Sequence, residues 1–190
     1  MSKRYIYLMG LITLLAFPLP SMLWMHYFEG MDYADFFQVK NFKSIPILYG
    51  LEFGIVYAYI AILLLKAPIF DRIPLKFEHA IKAMNLNYID GFFLSLCAGV
   101  GEEILFRSGM QYYAGIWITS LFFIAIHGYF SIKKPLMSLY GMVVLPFILI
   151  ISIGFNHFGL WFSISAHFAY DIVLMYAIIS DKSSSSTNNR

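Results

Sequence analysis

The apolar runs in this chain are too long for a soluble fold to hide. Six stretches reach the roughly 20 residues that a helix needs to cross about 30 Å of lipid tails at 1.5 Å per residue. They span 5–28, 47–65, 90–113, 114–132, 136–153 and 158–180, with a tight turn near Gly115 joining the third to the fourth. Of the 190 residues 60% are hydrophobic and only 13% charged, too little polar sequence to cover a soluble domain. The fold class that follows is all-α: a polytopic transmembrane helix bundle of about six spans.

The net charge is +2, and the basic residues fall in short connections, not in a patch suited to nucleic acid. Counting them by side gives the orientation. Residues 3, 4, 66, 72, 76, 82, 133, 134, 182 and 190 put ten of the 13 on one side, against Lys40, Lys43 and Arg107 on the other. The positive-inside rule then predicts a multi-pass integral membrane protein with both termini cytoplasmic. The first span follows Lys3 and Arg4, but its apolar run outlasts a signal sequence and lacks an A-x-A site. It reads as an uncleaved helix kinked at Pro18 and Pro20. Cys97 is the only cysteine, which excludes an internal disulfide framework and a cysteine-cluster zinc site.

Three regions result: 1–89, an N-terminal transmembrane hairpin with an amphipathic cytoplasmic loop at 75–86; 90–180, a four-helix core; and 181–190, a polar tail of disordered composition.

A charge at the bilayer centre costs at least ~2.5–3.5 kcal/mol, so it needs a partner, a water-filled cavity or a chemical role. Such residues occur at Glu52, at Glu102, Glu103 and Arg107, at His127, and at His167 and Asp171. Helical rise places Glu102, His127 and His167 roughly 14–20 Å into their spans, close to one level. Glu103 and Arg107 are four residues apart and share a helix face, whereas Glu102 points about 100° away. The arginine therefore neutralises Glu103 and leaves Glu102 free to act as a base. His167 and Asp171 are also i,i+4, so the carboxylate orients the imidazole or meets the same ligand. Gly99, Gly101, Gly109 and Gly128 flank these groups and permit close helix approach. Glu52 reads as structural or water-facing, and His26, His79 and His157 as interfacial.

These residues resemble the CAAX-protease and bacteriocin-processing (CPBP, or Abi) membrane proteins. E-E-x-x-x-R matches Glu102 to Arg107, F-x-x-x-H matches Phe123 to His127, and H-x-x-x-(N/D) matches His167 to Asp171. The resemblance covers roughly 90–180. Two positions depart from it: Ser108 intervenes before Gly109, and Asp171 stands where the prenyl-protein proteases carry Asn.

The resemblance implies an intramembrane endopeptidase acting on a membrane-embedded or membrane-anchored peptide or protein. It makes Glu102 the base that activates water, Glu103 with Arg107 its support, and His127 the group that positions the water or a metal. His167 and Asp171 would bind a metal or stabilise the oxyanion. A divalent metal such as zinc on His127, His167 and Glu103 and a metal-free glutamate mechanism both stay open, since H-E-x-x-H is absent. Two other functions fit polar groups at depth: a proton-coupled transporter, and a catalytically silent immunity or scaffold protein.

Overall fold

The computed structural model describes residues 3–68, 85–130 and 135–187, and within these the secondary structure is helical. The amphipathic loop expected at 75–86 therefore lies outside the described residues, apart from its last two.

The first span bends where the sequence breaks it. Helix α1 (Lys3–Ala16) gives way at Phe17 to α2 (Pro18–Glu29). Pro18 has no N–H to give the preceding turn, so one helix becomes two. Gly30, at φ 66°, ends α2, and Met31 N–H closes back on the Met25 carbonyl at 3.1 Å. A short α3 (Tyr33–Phe36) and a 3₁₀ turn (Val39–Asn41) lead into α4 (Ser44–Leu65). Helix α5 (Tyr88–Glu103) passes without interruption into a π-helical segment (Ile104–Met110) and then α6 (Gln111–Ile126). Helices α7 (Pro135–Phe158) and α8 (Leu160–Thr187) complete the bundle.

Four of these helices are long and apolar enough to cross a membrane: Lys3–Glu29 through its bend, Ser44–Leu65, Met137–Phe158 and Leu160–Asp181. The charged unit Tyr88–Ile126 adds two further arms that are not among these four, folding back at Gly115 (φ 70°) as the sequence predicts. Its return arm is only half a span. It stops at Ile126 and not near 132, because Gly128 (φ 76°) turns the chain and Tyr129 N–H caps the Ile124 carbonyl at 3.2 Å. Helix α7 runs past the expected end at 153 to Phe158, where Gly159 (φ 86°) stops it. Helix α8 continues to Thr187, into the tail whose composition suggests disorder. Extending a formed helix is much cheaper than nucleating one.

Helix α8 is the hub, packed against α4, α5 and α7. Its seam with α4 is made by small residues: Gly50, Gly54, Ala58 and Ala61 form one buried stripe. A Cβ on Gly54 would stand 2.2 Å from the Ala166 carbonyl oxygen, so the two backbones touch. Helix α1 packs on α5 in the same way, with Gly101 against the Thr13 carbonyl. Asp90 fastens that pair. It forms a capping box with Asn87 at the start of α5 and takes Lys3 Nζ and Tyr7 Oη, each at 2.6 Å. Gly91 abuts Ile179, so both ends of the described chain lie on one side of the bundle. Phe106, Phe123, Ile124, Phe147, Ile148 and Ile151 fill the interior beside the motif residues.

Candidate active site

The charged motif sits where the α-helical repeat changes. Across the π-helical segment each turn gains a residue, and its carbonyls lose their ordinary i+4 partners. Ser21 on α2 meets one of them: its Oγ donates to Leu105 O at 3.3 Å, against Gly109, which has no side chain to obstruct it. The N-terminal helices are thus part of the wall behind the site.

Glu103 and Arg107 are both fully buried, and Arg107 Nε donates to Glu103 Oε2 at 2.8 Å. The i,i+4 pairing expected from the sequence forms. The other oxygen of Glu103 meets His167 Nδ1 at 2.8 Å, a partner that helix-face reasoning did not assign. His167 Nε2 lies 3.6 Å from Asp171 Oδ2. The imidazole is held between a carboxylate on α5 and another one turn along its own helix.

Glu102 turns the other way. Its Oε2 lies 3.5 Å from His127 Nε2, too long for a strong direct hydrogen bond and suited to a shared water. His127 is in the turn that ends α6, with Nδ1 2.8 Å from the Phe123 carbonyl. A carbonyl oxygen only accepts, so Nδ1 carries the proton and Nε2 faces Glu102. Glu103 likewise takes a proton from His167 Nδ1, because an arginine-paired carboxylate accepts and Nδ1–H donates. Both histidines therefore present Nε2 to the site.

Phe123 explains the spacing of F-x-x-x-H. Its ring stacks on His127 at 4.2 Å between centroids, stands edge-on to His167 at 6.0 Å, and carries the Arg107 guanidinium at 5.8 Å. One aromatic side chain thus touches three of the six motif groups. Glu102, His127 and Asp171 keep 14%, 31% and 29% of their side chains exposed. The short α6 ends in the turn at Gly128, which leaves the His127 side chain partly open.

The sequence leaves open a divalent metal on His127, His167 and Glu103. Among the described residues no group of three or more His, Cys, Asp or Glu side chains is arranged to hold an ion. Both oxygens of Glu103 are already engaged, by Arg107 and by the very histidine that would share the metal. Glu52 is exposed on the far face of α4, away from the site. His26 bonds Met31 O at 3.1 Å, His157 is exposed near the end of α7, and His79 lies outside the described residues.

Residues 84–173 match the family model described as type II CAAX prenyl endopeptidase Rce1-like. The matched segment runs from just before α5 into α8 and contains Glu102, Glu103, Arg107, His127, His167 and Asp171. No curated protein and no solved structure matches the chain.

Proposed function

Residues 84–173 form an Rce1-like, type II CAAX prenyl endopeptidase domain, and from that premise we propose that Glu102 activates water for peptide-bond hydrolysis within the membrane. The family and the four apolar helices make the chain an integral membrane protein of the CAAX-type endopeptidase class. The substrate in this reading is a membrane-embedded or membrane-anchored peptide, and both termini face the cytoplasm.

The observation that carries the mechanism is the division of the two adjacent glutamates. Glu103 is saturated by Arg107 and His167, whereas Glu102 is partly exposed beside His127 Nε2. In the proposed step a water between them donates to His127 Nε2, which orients it, and loses a proton to Glu102. The resulting hydroxide adds to the scissile carbonyl carbon. His167, doubly protonated between Glu103 and Asp171, donates its Nε2–H to the oxyanion. Collapse breaks the C–N bond, and Glu102 returns its proton to the leaving amine. One peptide bond and one water become a carboxylic acid and an amine, the acid then passing its proton to the amine, and no step passes through a metal.

The test is cleavage of a library of membrane-anchored peptides by reconstituted wild type, Glu102→Ala and His127→Ala. Products from the wild type alone support the reading. Equal cleavage by all three sinks it.

A further inference from the structure

The bundle buries more polar side chains than this reaction uses, and they are aligned. Glu103 occupies only the Nε of Arg107, leaving Nη1 and Nη2 fully enclosed and without a partner. One turn further, the buried Gln111 donates from Nε2 to Ser152 O at 2.9 Å and to Asn156 Oδ1 at 3.2 Å. Its Oε1 has no partner. Thr119 lies four residues beyond Gly115 and Gln111 four before it, so the fold-back brings them to one depth. The Thr119 hydroxyl is also buried and unpartnered. Ser120 bonds Ser152 at 3.1 Å.

The line does not end inside the protein. Asn156 is exposed and lines a cavity of about 350 Å³ beside Gly159, at the end of the bundle opposite the two termini. Arg107 lies one turn before Gln111, and Gln111 reaches Asn156, so buried polar groups recur from the ion pair toward that face. A guanidinium with two idle nitrogens and a carboxamide oxygen with none of its bonds made are costly when dry. Buried water typically makes about three hydrogen bonds to such groups and is kept for that reason.

We propose that a column of bound water joins these groups into one seam and connects the Glu103–Arg107 pair to the membrane face at the Gly115 and Gly159 turns. It hydrates the arginine from the side opposite the exposed groups of Glu102 and His127. The inference concerns water access alone and stands whether or not the chain cleaves peptides.

Single cysteines in a Cys97→Ala background test it, with silver ion as a small water-borne thiol probe in reconstituted vesicles. Thr119→Cys sits in the seam, and Ile124→Cys sits in the apolar core of the same helix. The proposal predicts that Thr119→Cys is consumed about tenfold or more faster, because thiol reaction requires solvent access. Adding Gln111→Leu should slow it to the Ile124→Cys rate. Ser120→Cys, close in size to the native residue, carries the same comparison if Thr119→Cys does not fold. Rates equal to Ile124→Cys in a folded protein, judged by an unchanged thermal midpoint, would overturn the proposal.

Discussion

Arg107→Met should unfold the protein more easily than any exposed substitution, and a second change should undo part of the damage. Glu103 and Arg107 are both fully buried, so removing the guanidinium strips Glu103 Oε2 of its donor and leaves a carboxylate inside the bundle. Breaking a buried ion pair from one side costs about 3–5 kcal/mol. At roughly 2–4 °C per kcal/mol for a chain of this size, the apparent midpoint should drop by about 6–20 °C. Glu103→Gln should cost a similar amount, since Arg107 then has no anion. In the double variant neither charge remains, and replacing both partners is far less costly than orphaning one. The two losses should therefore fail to add, and the double variant should melt above the worse single one. Cys97, the only cysteine and 1% exposed, provides the assay, because a thiol-reactive dye lights up only as the bundle opens. Strictly additive midpoints would refute the idea that these residues act as one buried pair.

Gly54→Leu should prevent α4 from docking, because even a Cβ there meets the Ala166 carbonyl oxygen at 2.2 Å; the same dye assay should show loss of the folding transition. His167→Ala should lower the midpoint, since it removes one of the two partners of the buried Glu103. His127→Ala, at an open turn, should leave the midpoint within a few °C while slowing cleavage, on the order of the 1 kcal/mol or less typical of exposed sites. Purified protein should carry no stoichiometric metal, and a chelator should leave its activity unchanged. Bound zinc that disappears with His127→Ala or His167→Ala would contradict that.

Helical rotation of 100° per residue was enough to make the facing of the motif legible. It separated Glu102 from Glu103 and paired the latter with Arg107, and the structure places both so. The fold-back at Gly115 was equally legible, since a turn must interrupt so long an apolar stretch. Depth was less so. Counting residues put His127 in mid-span, whereas it ends a half-length helix, because the left-handed Gly128 stops α6 early. The π-helical segment has no periodicity signature in seven residues. The seam of Gly50 and Gly54 lay in a helix read for its apolar length. Partner choice for His167 was beyond the one-dimensional pattern, because it depends on how α5 and α8 cross.

The most direct test of the account is the paired measurement of cleavage rate and thermal midpoint for wild type and Glu102→Gln on a peptide that the wild type cuts. Glu102 is partly exposed and holds no buried partner, so the amide should fold as well as the acid. The account predicts an unchanged midpoint with a rate lower by about 10²–10⁴, the range for loss of a general base. An undiminished rate, or a rate lost only in step with the folded fraction, would contradict it.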